Sequence, residues 1–183
     1  SDLVLGCGGV GSGAIQGAAM AGARAVIAID TNQSKVDRAL KIGATHGCNN
    51  TMEAAFNILP ELTMGKNADV VIITVGVLTG DLIEQARSIT AKGGVIVATS
   101  IAPYHQQTVE LNLFAFSMFN QELRGTVFGS ESPRVQIPRL LRLHHEGRLH
   151  VDDLITREYS IEEVQKGYDE LESGQNVRGV VRF

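Results

Sequence analysis

Short, nearly continuous apolar runs recur along the chain, and segments with apolar residues at helical spacing separate them. Strands that are apolar on both faces are typical of parallel sheets covered by helices. Alternating strands and helices predict an α/β fold with a doubly wound parallel sheet. The predicted strands cover residues 3–5, 25–29, 70–73 and 95–98. The predicted helices cover residues 14–21, 36–42 and 82–89, and glycines are expected to end the second at Gly43 and the third near Gly93 and Gly94.

The same alternation continues after Pro103, with less regular spacing. Ser160 and Glu163 have the spacing of a capping box, which predicts a helix that begins there and ends at Gly174. Three further elements are predicted: a strand at residues 123–128, a helix at 135–146, and a final strand at 177–183 that Gly179 interrupts.

A glycine-rich turn, Gly6-Cys7-Gly8-Gly9-Val10-Gly11, links the first predicted strand to the first predicted helix. In dinucleotide-binding folds, glycines at this place allow a tight turn, close approach of the backbone to a pyrophosphate, and close packing of helix on strand. The helix amino terminus adds unpaired N–H groups and a partial positive charge. We therefore predict a Rossmann fold that binds a dinucleotide; the alternative is a purely structural turn. The predicted phosphate-binding residues are Gly6, Gly8, Gly9, Val10 and Gly11.

An acid, Asp30, ends the second predicted strand nineteen residues after Gly11. A carboxylate at this position accepts hydrogen bonds from both ribose hydroxyls of NAD and repels the 2′-phosphate of NADP. Thr31 and the two residues after it are uncharged, so the sequence favours NAD. Two alternatives stay open: Asp30 could cap the next helix, and Lys35, early in that helix, is either a second ribose ligand or a solvated lysine.

The next two strands end in turns that are candidates to line the same cleft. These turns read Thr74-Val75-Gly76 and Thr99-Ser100-Ile101. Ligands of open parallel sheets bind beyond the carboxyl ends of the strands. The predicted cofactor-binding residues in these turns are Val75, Gly76, Thr99 and Ile101.

Composition narrows the classes of function. The chain has 183 residues, of which 44% are hydrophobic and 20% charged, and its net charge is −4. These values exclude an intrinsically disordered chain and argue against a nucleic-acid partner, which needs clustered Lys and Arg. The uncharged stretch 3–23 is rich in glycine, so we expect no membrane span. Cys7 and Cys48 are expected to be free thiols of a cytoplasmic protein. Because no catalytic triad or metal-ligand spacing is present, no catalytic or metal-binding residue is predicted.

The order of these motifs resembles the medium-chain, zinc-dependent alcohol dehydrogenases. The resemblance covers essentially the whole chain, and within that family the chain is most similar to actinobacterial zinc-type enzymes, which include nitroso-dependent and mycothiol-linked groups. Besides the glycine turn, Asp30 and Lys35, the segments that carry it are Leu40-Lys41-Ile42-Gly43-Ala44-Thr45, Leu123-Arg124-Gly125-Thr126-Val127-Phe128-Gly129, Leu154-Ile155-Thr156, Glu172-Ser173-Gly174 and Val177-Arg178-Gly179.

The resemblance implies roles for residues at the adenosine end of NAD. Asp30 and Lys35 would hold the adenosine ribose. Thr31 and Val75 would flank the adenine.

At the other end of the cofactor, the resemblance implies that main-chain groups orient the nicotinamide carboxamide. Those groups belong to Thr99, Ile101, Thr126 and Phe128. Arg178 would contact the pyrophosphate, which suits the two-pronged guanidinium group.

The resemblance further implies that this chain is a fragment of a larger two-domain enzyme that transfers hydride between NAD and a small alcohol or aldehyde. Residues 1–129 would form the NAD-binding domain, and residues 130–183 would partly belong to the catalytic domain. The family's zinc ligands precede the glycine turn, so zinc is expected in the full-length parent only. Since exposed sheet edges favour pairing between copies, a homodimer is expected through edge strand 123–128.

Three other functions stay open on the sequence. One is a zinc-free medium-chain reductase that uses NADPH, which Asp30 and the absence of a following arginine argue against. Another is a regulatory domain that senses NAD without catalysis, since fold does not fix function. The third is a methyltransferase, whose cofactor also uses a glycine turn and an acid.

Overall fold

The computed structural model describes residues 1–49 and 52–183. Contacts divide the described chain into two compact units, Ser1–Ser132 and Pro133–Phe183. The division lies at residue 132, whereas the domain boundary was expected at residue 129. The assignment of the second unit to a catalytic domain stays a prediction.

The first unit is built on a six-stranded sheet in which each described strand runs parallel to its neighbours. The strand order is β3-β2-β1-β4-β5-β6. The strands are β1 (Asp2–Leu5), β2 (Val26–Asp30), β3 (His46–Asn49), β4 (Ala68–Ile73), β5 (Thr90–Ala98) and β6 (Glu122–Gly125).

The sheet confirms the doubly wound prediction. The chain runs outward from β1 in one direction and from β4 in the other, so right-handed crossovers place helices on opposite faces. The helices of this unit are α1 (Gly9–Met20), α2 (Gln33–Lys41), α3 (Met52–Thr63), α4 (Gly80–Ser88) and α5 (Leu113–Met118). In the described ranges, no helix combines the length and the apolar character needed to cross a bilayer.

The central strands are buried on both faces, as their continuous apolar runs predict. Leu3 and Val4 of β1 and Ile27 and Ala28 of β2 are each 0% exposed. Because neighbouring residues of a strand point to opposite faces, both faces must be covered. The apolar core therefore holds β1, β2 and β4 rigidly side by side and fixes where their carboxyl ends lie.

The predicted end of the third helix near Gly93 is wrong. Helix α4 ends at Ser88, and β5 begins at Thr90, whose hydroxyl donates to the carbonyl oxygen of Ala86 at 2.7 Å. The register of β5 with β4 shifts after this first pair, and Gly93 adopts a φ of +71° inside the irregular part. The glycines therefore allow the backbone of β5 to depart from regular strand geometry, and they do not cap α4.

The strand predicted at residues 123–128 is also shorter than expected. It forms the edge strand β6, which ends at Gly125, although the N–H of Thr126 still donates to the Ala98 carbonyl oxygen at 3.0 Å. Phe128 has a φ of +49° and starts a short 3-10 helix, Phe128–Ser130. A left-handed backbone cannot continue a strand, so Phe128 lies outside β6.

The second unit contains two helices and a two-stranded parallel sheet, which are α6 (Pro133–His145), α7 (Val164–Glu172), β7 (Arg157–Tyr159) and β8 (Gly179–Val181). The predicted helix at 135–146 is confirmed, and Ser160 and Glu163 form the predicted capping box. The final strand is shorter than predicted, and Gly179 begins it. A Cβ atom at Gly179 would lie 2.7 Å from the ring of Tyr159, so this position needs glycine for close packing.

Candidate functional site

An open cavity of about 1130 Å³ lies at the carboxyl ends of β1, β2, β4 and β5. The strand order reverses between β1 and β4, which is where open parallel sheets bind ligands. The residues that line the cavity are Leu5, Gly6, Gly8, Gly9, Val10, Ile29, Asp30, Thr31, Lys35, Phe56, Thr74, Val75, Gly76, Leu82, Gln85, Thr99, Ser100 and Ile101. We call this cavity the cleft.

The glycine turn has a backbone that only glycine fits at two positions. Gly6 adopts a φ of +92°, and a Cβ atom at Gly11 would lie 1.8 Å from the Gly6 carbonyl oxygen. The same carbonyl oxygen lies 2.5 Å from the hydroxyl of Thr74, which is also 2.9 Å from the Leu5 carbonyl oxygen. The turn is therefore held against both α1 and the end of β4.

The amino terminus of α1 opens into the cleft. Gly8 is the N-cap, no side chain caps the helix, and no acid lies in its first turn. The first N–H groups of a helix have no intrahelical partner, and they carry a partial positive charge. Val10, in the first turn, is 57% exposed. The backbone thus offers donors and space to an anion, so the residues present fit a dinucleotide pyrophosphate.

The carboxylate of Asp30 links the end of β2 to the glycine turn. Its Oδ2 accepts from the N–H of Cys7 at 2.8 Å, and its Oδ1 accepts from the N–H of Asn32 at 2.9 Å. Each carboxylate oxygen keeps a further lone pair for another donor. The alternative that Asp30 caps the next helix is wrong, because the Asn32 side chain is the cap of α2 and accepts from the N–H of Ser34.

Lys35 and Thr31 both line the cleft beside Asp30. Of the residues that line the cleft, Asp30 is the acidic one and Lys35 is the basic one. This pair can bind a sugar diol, with the carboxylate accepting and the ammonium donating. The remaining positive potential in the lining comes from the amino terminus of α1.

The ends of β4 and β5 are tied together by hydroxyl groups. The Ser100 hydroxyl donates to the Val75 carbonyl oxygen at 2.6 Å, and the Thr99 hydroxyl donates to the Ile73 carbonyl oxygen at 2.9 Å. The N–H of Leu78 donates to the Ile101 carbonyl oxygen at 3.2 Å. The predicted residues Val75, Gly76, Thr99 and Ile101 all line the cleft as a result.

Four predicted residues are not among the lining residues. Gly11 is buried behind the glycine turn. Thr126 and Phe128 follow the edge strand, where the Thr126 hydroxyl lies 2.8 Å from the Ser130 hydroxyl and Phe128 is 89% exposed. Arg178 belongs to the second unit.

The cleft also contains side chains that the sequence did not indicate. These are Phe56 of α3, and Leu82 and Gln85 of α4. Phe56 is 45% exposed, which leaves an aromatic face open to a ligand. Helix α3 also contains Pro60, and a proline within a sequence segment argues against a helix there. For this reason nothing in the sequence indicated that Phe56 lies near the cleft.

Cys7 lies in the glycine turn but is not a nucleophile. The pKa of its thiol is raised to about 12, mainly by burial and in addition by the negative charge of Asp30, while the positive charge of Lys35 acts in the opposite direction. The thiol points to the Ile29 carbonyl oxygen, with the sulfur 3.6 Å away. Cys7 and Cys48 are both free cysteines, as predicted.

Zinc does not fit the described residues. Within residues 1–49 and 52–183, no group of three or more His, Cys, Asp or Glu side chains lies close enough to hold a metal ion. The histidine His144 instead contacts the Leu149 carbonyl oxygen at 2.9 Å through Nδ1, a contact within the second unit.

Comparison with known proteins shows which family the chain matches. A family model described as zinc-binding dehydrogenase matches residues 9–146. The NDMA-dependent alcohol dehydrogenase of Amycolatopsis methanolica is 43% identical over 98% of this chain and 48% of its own length. Alcohol dehydrogenase B of Mycobacterium tuberculosis is 42% identical over 98% of this chain and 48% of its own length.

Solved structures give the same result for the fold. The crystal structure of benzyl alcohol dehydrogenase from Acinetobacter calcoaceticus superposes with a TM-score of 0.91 at 25% identity, over 100% of this chain and 49% of that one. The chain therefore spans about half the length of the relatives that it matches.

Proposed function

Because this chain belongs to the zinc-binding dehydrogenase family, we propose that it is the NAD-binding part of an alcohol dehydrogenase. The observation that carries the proposal is the joint placement of the glycine turn, the open amino terminus of α1 and Asp30 at one cleft. NAD, when bound, accepts hydride from an alcohol or an aldehyde adduct, and returns it in the reverse direction. The parent protein is thus proposed to be an oxidoreductase of small alcohols or aldehydes.

The proposed pose puts the pyrophosphate over the amino terminus of α1. The N–H groups near Gly8, Gly9 and Val10 face open space there and donate to phosphate oxygens. Asp30 accepts from the two ribose hydroxyls with the lone pairs that its two backbone contacts leave free. Lys35 donates to the same ribose.

The adenine is proposed to lie between Thr31 and Val75, with Phe56 as a further apolar surface. All three line the cleft. Because an aromatic ring offers a large face at little entropic cost, Phe56 suits a flat base.

The nicotinamide is proposed to bind toward the ends of β5 and β6. We propose that main-chain groups of Thr99 and Ile101 bind the nicotinamide carboxamide, which their place in the cleft lining supports. Main-chain groups of Thr126 and Phe128 are proposed to do the same, because these residues follow β6, the strand next to β5 in the sheet. Arg178 is proposed to contact the pyrophosphate.

We propose NAD over NADP as the cofactor. A 2′-phosphate bound beside Asp30 would meet a carboxylate whose two oxygens are held in place by backbone donors. Thr31, the next residue, offers no positive charge to compensate. The discrimination is therefore electrostatic repulsion at a fixed position.

The zinc ligands of the parent enzyme are proposed to lie in the half of the relatives' length that this chain does not span. We further propose a cytoplasmic location, which the two free cysteines support. A homodimer through the edge strand β6 is proposed because β6 exposes one side of its backbone at the end of the sheet.

The test is a calorimetric titration of the 183-residue chain with NAD and with NADP. We expect NAD to bind and NADP to bind at least about tenfold more weakly, which corresponds to about 1.4 kcal/mol. Equal binding of the two, or no binding of either, would contradict the proposal. A reductase that uses NADPH predicts the opposite preference. For a regulatory sensor, the parent protein would bind NAD and show no alcohol oxidation.

A further inference from the structure

The hydroxyl of Thr74, the residue that follows β4, holds the first peptide group of the glycine turn. Its Oγ1 lies 2.5 Å from the Gly6 carbonyl oxygen and 2.9 Å from the Leu5 carbonyl oxygen. The Leu5 oxygen already accepts from the backbone N–H of Thr74 at 2.8 Å. Because a hydroxyl has one proton to donate, the nearer oxygen, that of Gly6, is its acceptor.

The same peptide group also contacts Asp30. The N–H of Cys7, which shares a peptide bond with the Gly6 carbonyl group, donates to Oδ2 of Asp30 at 2.8 Å. In a trans peptide the carbonyl and the N–H point in opposite directions. Since β1 lies between β2 and β4 in the sheet, the peptide that follows β1 reaches Thr74 on one side and Asp30 on the other. Thr74, this peptide and Asp30 therefore form one continuous chain of hydrogen bonds.

The Gly6–Cys7 peptide is packed closely against its neighbours. A Cβ atom at Gly6 would lie 3.0 Å from backbone atoms of Thr74 and Val75, so the turn lies directly on the end of β4. The N–H of Gly6 donates to the Ile29 carbonyl oxygen at 2.8 Å, which ties the same residue to β2. Hydrogen bonds in such a chain polarise one another, so loss of the donor at the carbonyl weakens the contact between the Cys7 N–H and Asp30.

We propose that Thr74 is a positioning residue for Asp30 and thereby a determinant of cofactor selectivity. Through the Gly6–Cys7 peptide, its hydroxyl keeps the carboxylate where it accepts from the ribose hydroxyls of NAD and repels the 2′-phosphate of NADP. The proposal rests on the proposed function, since it needs a dinucleotide in the cleft.

The two cofactors distinguish this role from a merely structural one. NAD and NADP share the pyrophosphate, so damage confined to the glycine turn weakens the binding of both to the same extent. A loosened Asp30 has a different effect, because it weakens the contact with the NAD ribose and relieves the repulsion of the 2′-phosphate. The ratio of the two affinities therefore reports on Asp30.

The test measures the dissociation constants of NAD and NADP by calorimetry for variants of the 183-residue chain. Thr74→Val keeps the side-chain shape and removes the hydroxyl; we expect NAD binding to weaken about fivefold and the preference for NAD over NADP to fall at least about threefold. Thr74→Ser keeps the hydroxyl and should keep the preference. Thr90→Val is the matched control, because the Thr90 hydroxyl donates to the Ala86 carbonyl oxygen at the amino end of β5, away from the cleft. It should leave the preference unchanged.

A double variant tests the route through Asp30. In Asp30→Ala no carboxylate remains to be positioned, so the addition of Thr74→Val should change the remaining preference less than about twofold. A full threefold fall in this background would mean that Thr74 acts on selectivity by another route, which overturns the proposal.

The other outcomes separate this proposal from the one on which it rests. An unchanged preference in Thr74→Val, even with weaker binding of both cofactors, overturns the positioning role and leaves NAD binding in place. A preference that falls in Thr74→Ser or in Thr90→Val overturns it as well. If the unaltered chain binds neither cofactor, or both equally, the proposed function fails and this inference fails with it. If Thr74→Val does not fold, Thr74→Ala, which removes the hydroxyl without placing a new methyl group beside the carbonyls, must show the same fall in preference.

Discussion

The carboxylate of Asp30 accepts a hydrogen bond from the backbone N–H of Cys7, with 2.8 Å between the two heavy atoms. This contact joins the acid at the end of β2 to the glycine turn after β1. The position of the acid and the shape of the turn therefore depend on each other. Since the second carboxylate oxygen accepts from Asn32, the acid is held from two sides before any ligand arrives.

Replacing Asp30 should affect both the ribose contact and the turn. For Asp30→Ala we expect a loss of about 1–3 kcal/mol in NAD binding, because the ribose hydroxyls would lose the carboxylate that is proposed to accept their hydrogen bonds. The preference against NADP should shrink as well. Calorimetric titration with each cofactor measures both effects. Asp37→Ala is the matched control, because Asp37 lies on the exposed face of α2 and contacts Gln33 only in the described residues. Unchanged affinity in Asp30→Ala would remove the acid from the site.

The glycines near the turn should separate folding from binding. Gly11→Ala places a methyl group 1.8 Å from the Gly6 carbonyl oxygen, so we expect unfolding or a strongly lowered melting temperature. Gly8→Ala meets no atom within 4 Å, so the variant should fold and yet bind NAD more weakly, since the methyl group takes space from the phosphates. Gly13→Ala also meets no atom and lies within α1, so it should bind normally and gain up to about 1 kcal/mol of stability. Thermal melts with and without NAD decide among these outcomes.

Phe56 should contribute to NAD affinity through its exposed aromatic face. Phe56→Ala is expected to raise the dissociation constant of NAD about fivefold, which corresponds to about 1 kcal/mol for a lost aromatic contact. Phe56→Tyr keeps the ring and should bind almost normally. Titrations that follow the fluorescence of NADH suit this chain because it has no Trp. Equal constants for the alanine variant and the unaltered chain would show that the ring faces no ligand.

The two thiols should differ in reactivity. Only the thiolate reacts with a maleimide, and a pKa raised to about 12 leaves about one Cys7 thiol in ten thousand ionised at pH 8. Cys7 is also 1% exposed, so it should stay unmodified until the chain unfolds. Burial raises the pKa of Cys48 too, but its side chain is partly accessible, and its modification should speed up as the pH rises.

Mass spectrometry of the labelled protein measures this difference. The native chain should carry one adduct, on Cys48, and the Cys48→Ser variant should carry none before denaturation and one afterwards. Rapid labelling of Cys7 in the folded variant is the result that contradicts burial of the glycine turn.

The edge strand should mediate self-association. Leu123 in β6 is 39% exposed, and a charge there disfavours pairing of two edges. Light scattering at micromolar concentration should give twice the 19.6 kDa chain mass, and Leu123→Lys should give the single mass. Met64→Lys, at an apolar position that is 70% exposed away from the edge, should leave the dimer intact. A single mass for the unaltered chain is incompatible with this interface.

The alternating pattern and the glycine turn determined the fold class and most of the cleft. Continuous apolar runs predict strands buried on both faces, and residues such as Leu3 and Ile27 are fully buried. A turn that follows one strand and an acid that ends the next are local features, and parallel pairing brings their strand ends to one edge. For this reason Gly6, Asp30 and Val75 could be assigned to one cleft before their contacts were known.

Tertiary structure alone decided the remaining features, because their residues carry no periodic signal. Strand β3 has the sequence His46-Gly47-Cys48-Asn49 and exists because β2 offers it a free edge for pairing. Phe56 lines the cleft from α3, a helix that the sequence did not predict because it contains Pro60. The contacts of Thr156 with Arg178 join residues 22 positions apart, a separation that only the folded chain closes. Local sequence fixes which residues can form strands and turns, whereas long-range packing fixes which of them meet.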